Sequence, residues 1–166
     1  MLLTIFLAIV FCAAMALMLI SAVAFIQDNK FFSSAPKEAR EVLVQREQEL
    51  FYGARAIGWT LFIISALMVL GVGVIAIWDG LRSGFAFWQF FLRFVLIFTI
   101  YKILDMTLID NFLLLKSHFF QHYYPEADGV MTGRKYGFNI KSQLLKLFII
   151  FPAVSALAAW ICTMVQ

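Results

Sequence analysis

The sequence is poor in the residues from which soluble domains and most catalytic sites are built. Only 14% of its 166 residues are charged, against about a quarter in a soluble domain, which excludes an ordinary water-soluble globule. It has two cysteines, Cys12 and Cys162, each inside an apolar run with no CxxC or zinc-ligand spacing, so they read as small buried hydrophobes and argue against a thiol redox enzyme. There is no Ser/His/Asp ordering, nucleophile elbow, haem-attachment motif or Gly-rich phosphate fingerprint. The two halves do not repeat, which sets the chain apart from transporters built on inverted repeats. A net charge of +3 is too weak to argue for nucleic acid, and none is expected as a partner.

What the chain has in quantity is apolar surface: 63% of its residues are hydrophobic, nineteen of them Phe, in runs long enough to cross a bilayer. The pattern predicts an all-α integral membrane protein, a single domain over 1–166 with the general character of a small bacterial membrane protein. Four transmembrane helices are expected at about 2–26, 56–78, 85–106 and 143–165, forming a four-helix bundle. The first run has no basic residue before Lys30 and too long a core for a cleaved signal, so it reads as a retained span. Segments 27–55 and 107–142 are polar. The first predicts an amphipathic surface helix over 36–55, with Pro36 in its first turn and Ala39, Leu43, Leu50 and Ala54 near one face. The second predicts an interfacial helix over 111–124, gripped by Phe119, Phe120, Tyr123 and Tyr124.

Small residues mark where helices approach closely. Ala13, Ala14, Ala16, Ser21 and Ala24 do so in the first span, and Ser155, Ala156, Ala158 and Ala159 in the last. Gly71 and Gly73 are expected at a close helix contact in the second.

Positive charge sets orientation. Lys30, Lys37, Arg40, Arg46 and Arg55 fall in the first polar segment, and Lys116, Arg134, Lys135, Lys141 and Lys146 in the region after the third span. The short DGLRSG connection has only Arg82. The expectation is a multi-pass protein of the plasma (inner) membrane with both long loops cytosolic and both termini outside.

Function is expected where charge meets the third run, Leu92 to Tyr124. Lys102 and Asp105, three apart, share a helical face and can neutralise each other. Arg93 is expected to pair with Asp79 or a carbonyl, or to contact an anion or lipid headgroup. Arg134 and Lys135, in the basic GRKYGFNIK loop, are candidates for the same contact with anionic lipid. His118 and His122 are four apart, as HFFQH, so one helix face would carry both imidazoles. With Asp105 and Asp110 they compose a candidate site for a divalent metal, zinc, iron or manganese. It is not HExxH, because Phe119 occupies the position of the base.

Two functions follow as expectations. The first is a structural or accessory subunit in the lipid bilayer, acting through helix packing, as a homo-oligomer or with a partner membrane subunit. The alternative is a metal-dependent membrane enzyme or ion handler, with its Asp/His site at the cytosolic face and a lipid-like substrate.

Overall fold

The computed structural model describes residues 1–28, 31, 41–44, 46, 48–108, 112, 117–131 and 140–166. Every regular element among them is helical. Helix α1 covers Leu2–Ile20 and runs on into a π-helical stretch, Ser21–Ile26. Helices α2 (Ala54–Arg82) and α3 (Phe87–Leu104) follow, and α3 continues as π-helix over 105–108. Two short helices, α4 (Phe119–Tyr123) and α5 (Asp128–Met131), flank a 3-10 turn at Pro125–Ala127. The chain ends in α6 (Ile140–Leu145), a π-helical stretch at Lys146–Ile150, and α7 (Phe151–Val165).

Three of these helical runs are long and apolar enough to cross a membrane: Leu2–Ile26, Ala54–Arg82 and Ser142–Val165. The 29 residues of α2 make a rod about 44 Å long, more than the roughly 30 Å of bilayer hydrocarbon. Trp59 and Trp78, both exposed, sit about 29 Å apart along it, the separation of the two interfaces where indoles settle. They serve below to name the two ends of the molecule.

Local chemistry explains the ends of α2. Gly53 precedes it at φ 87°, in the left-handed region that costs glycine least, and its N–H donates to Glu49 Oε2 at 2.8 Å. At the far end Gly84 turns at φ 62°, and the Phe85 N–H closes back on the Gly80 carbonyl at 3.0 Å. The Gln89 side chain then accepts from the Ala86 N–H at 2.8 Å and starts α3. The connection is short, so α2 and α3 run antiparallel.

Helix α1 lies between α2 and α3, and α3 lies between α1 and α7. The packing order is therefore α2, α1, α3, α7. Leu7 and Ala8 of α1, Val72 and Ala76 of α2, Phe90, Phe94 and Ile97 of α3, and Ala159 and Cys162 of α7 form one buried core. Phe11 meets Phe98 and Tyr101 edge-on, and Phe98 stacks on Phe151, so aromatic rings carry the contact toward the Trp59 end.

The inward face of α2 recurs at Gly58, Ser65, Val72, Ala76 and Gly80, close to a seven-residue period and small at nearly every position. A methyl group on Gly58 would stand 2.7 Å from Phe25 Cβ and 2.9 Å from Ile26 Cγ1. One on Gly80 would run into the Phe90 ring. The close contacts are thus at Gly58 and Gly80. Gly71 and Gly73, expected at one, lie beside that face rather than on it, and a Cβ there meets nothing within 4 Å.

Two expected surface helices are corrected. Helix ends at Val42, and the described residues from Leu43 to Gly53 are turns and irregular chain, so the amphipathic helix does not run to Ala54. The physical reason is docking. Leu43 is buried, and the Val44 N–H donates to the Glu126 carboxylate at 3.2 Å rather than to a helical carbonyl. Similarly, the expected helix over 111–124 is helical at Phe119–Tyr123, with His118 at φ 52° before it. Its residues 111 and 113–116 lie outside the described residues, as do residues 36–40 of the first.

Candidate functional site

Polar chemistry gathers at three places. The first is at the Trp78 end. Arg93, on the inward face of α3, is 4% exposed. Its Nη2 donates to Asp79 Oδ2 at 2.7 Å and its Nη1 to the Ala76 carbonyl at 2.8 Å. The guanidinium also lies over the Phe85 ring, 4.3 Å from its centroid. Both partners expected from the sequence, Asp79 and a carbonyl, are present together. A guanidinium held by a carboxylate, a carbonyl and a ring ties α3 to the end of α2.

The second place is at the other end of α3. Lys102 and Asp105 form the ion pair that their spacing predicts, with Lys102 buried and Asp105 nearly so. Asp105 is the polar wall of a cleft of about 230 Å³. Its other walls are Met15, Met18, Leu19 and Ala22 from α1 and its π-helical end, Phe62 of α2, Tyr101 of α3, and Phe31. Phe31, Trp59 and Phe62 form an aromatic cluster with centroids 5.1–5.8 Å apart. Backbone geometry opens this region. Ala22 and Asp105 each sit in a π-helical turn, the irregularity that recurs at functional sites in helices. Ser21 is fully buried, and its hydroxyl donates to the Leu17 and Met18 carbonyls at 2.8 and 2.9 Å.

The third place joins the two polar segments. Arg46 Nη2 meets Glu126 Oε2 at 2.7 Å and the Tyr123 carbonyl at 3.3 Å, and the guanidinium lies 5.7 Å from the Tyr124 ring centroid. Tyr124 is fully buried and stacked on Phe120. Burial pushes its phenol well above the ordinary tyrosine range. Arg46 draws it back in part, while Glu126 and Asp28 add to the rise. A larger, more polar cavity lies alongside, lined by Gln27, Arg46, Glu49 and His122 among others.

Comparison with family models, curated proteins and solved structures gives no match to this chain.

Among the candidates named from sequence, Arg93 and Asp105 fall into the ion pairs just described. His118 and His122 are both exposed. His118 stands before α4 in the left-handed region, and its carbonyl accepts the His122 N–H at 2.9 Å, the bond that opens α4. His122 and Asp105 line different cavities. Among the described residues no three His, Cys, Asp or Glu side chains gather where they could hold a metal ion. Asp110, Arg134 and Lys135 lie outside the described residues. The sequence reading missed the cleft and the joining of Arg46 to Glu126. Eighty residues separate that pair, and nothing in local spacing marks it.

Proposed function

We propose that the chain crosses the membrane four times, α3 included, and acts as an accessory subunit by packing against a second copy or a partner membrane protein. One observation carries this reading. The buried charges of α3 are paired within the chain, while α2, at the end of the packing order, turns an apolar face outward with open space at Gly71 and Gly73. Leu67, Leu70 and Val74 border that space and are exposed. Glycines in an apolar rod allow another helix to come close, and van der Waals contact then drives association in lipid. On this reading the polar segments 27–55 and 107–142 face the cytosol, supported by their excess of Lys and Arg over the short connection with Arg82.

The test is cross-linking in native membranes. A cysteine introduced as Val74→Cys, with Cys12 and Cys162 replaced by Ala, should give a discrete higher-mass adduct with a thiol cross-linker. Gly73→Leu in the same background should abolish it while leaving the thermal melt of the purified chain unchanged. A lone monomer band from Val74→Cys, together with a monomeric mass in native mass spectrometry, would sink the proposal.

A further inference from the structure

We infer that the cleft beside Asp105 binds the hydroxyl end of a neutral single-chain lipid, a long-chain alcohol, entering from the bilayer.

Position sets the route of entry. Trp88 marks the start of α3, and Asp105 is seventeen residues further on, about 26 Å along the helix, nearly one hydrocarbon thickness. The cleft therefore lies in the membrane half next to Trp59. Met15, Met18, Leu19 and Ala22 belong to Leu2–Ile26 and Phe62 to Ala54–Arg82, two helices of membrane-crossing composition, and all of the walls but Ala22 are half-buried.

The walls set the body of the ligand. Met15, Met18, Leu19, Phe31 and Phe62 offer flexible thioethers and ring faces and no charge, which suits a methylene chain.

Charge sets the head. Asp105 is the one ionised wall of the cleft, and Lys102 behind it already neutralises it. A cationic amine in this low-dielectric site would leave a net positive charge, and a carboxylate would stand against Asp105. A hydroxyl brings no charge and donates a hydrogen bond to the carboxylate, which has lone pairs beyond the one that Lys102 takes. The same reasoning disfavours a plain alkane, which leaves the carboxylate's remaining lone pairs unmet.

The full chain in lipid nanodiscs would be photolabelled with a long-chain alcohol bearing a diazirine and an alkyne. Labelled peptides should come from 15–22 and around Phe62. Unlabelled hexadecanol should compete about tenfold better than palmitate, hexadecylamine or hexadecane, the worth of one hydrogen bond to a charged group. Met18→Trp, which fills the cleft, should remove the labelling, and Phe148→Trp on an exposed face should leave it unchanged. Asp105→Asn provides a readout that mere loosening of the fold cannot imitate. With the carboxylate gone, the Lys102 ammonium is left to meet the head, so palmitate should become the best competitor. Labelling spread over the outer faces, indifference to Met18→Trp, or equal competition by hexadecane would each overturn the inference. So would an unchanged order of competitors in Asp105→Asn.

Discussion

Asp79 and Arg93 meet at 2.7 Å across the turn that joins α2 to α3, and Arg93 is almost wholly buried there. Removing one partner from a buried pair strands the other. Asp79→Asn should therefore destabilise the protein by roughly 2–4 kcal/mol, below the full figure for a buried pair because Asp79 keeps some contact with solvent. The double substitution Asp79→Leu, Arg93→Met should recover most of that loss. Thermal melts of the three proteins in one detergent measure both effects. An unchanged melt in Asp79→Asn would show that the pair contributes nothing.

The two kinds of glycine in α2 should behave oppositely. Gly80→Ala forces a methyl into the Phe90 ring and should cost roughly 1–3 kcal/mol, the range for overpacking. Gly73→Ala meets open space and should be neutral or stabilising by up to about 1 kcal/mol through helix propensity. Melting temperatures of the purified chain decide. Equal losses at both sites would mean that Gly73 is packed within the chain.

Contact between the polar segments should depend on Arg46. Arg46→Ala removes the Glu126 ion pair, the bond to the Tyr123 carbonyl and the packing over Tyr124 together. Hydrogen exchange of the amides at 43–50 and 119–126 should rise in concert, while exchange in α2 stays slow. Faster exchange in only one segment would refute their mutual docking.

Tyr124 gives the protein an alkaline limit. Burial holds its phenol well above the usual range in the folded chain, whereas the unfolded chain ionises near pH 10. Above about pH 10 the unfolded state binds fewer protons than the folded one, so stability falls as pH rises. It is fully present below that pH. Melts from about pH 8 to about pH 11 should fall more steeply for the parent than for Tyr124→Phe. Parallel curves would place the phenol in contact with water.

His118→Ala with His122→Ala should leave the melting temperature within the roughly 0.5 kcal/mol scatter of surface substitutions, since both rings are exposed. Elemental analysis of parent and double variant belongs beside the melt. Stoichiometric metal in the parent, absent from the variant, would establish the Asp105, Asp110, His118 and His122 site.

Three helices long and apolar enough to cross a membrane were legible in the sequence because length and apolarity mark such helices. The two ion pairs of α3 were legible because their partners are close in sequence: Lys102 and Asp105 are three apart, and Asp79 lies across one tight turn from Arg93. What failed were judgements about faces. In a helix apolar all round, hydropathy does not tell the packed side from the lipid side, so Gly71 and Gly73 looked no different from Gly58 and Gly80. The segment after Val42 had a helical spacing of Leu and Ala, yet its backbone hydrogen bonds to Glu126, far along the chain. Local periodicity holds no information about such a partner. The cleft was illegible for the same reason, since Met15, Phe62 and Asp105 come from three helices.

Among the described residues, the π-helical stretches Ser21–Ile26, 105–108 and Lys146–Ile150 lie at the Trp59 end, while Arg93 and the core around Phe90 tie the Trp78 end. The Ser21–Ile26 stretch is nevertheless packed closely on α2, with Phe25 and Ile26 against Gly58, so irregular helix geometry and tight packing coexist at that end.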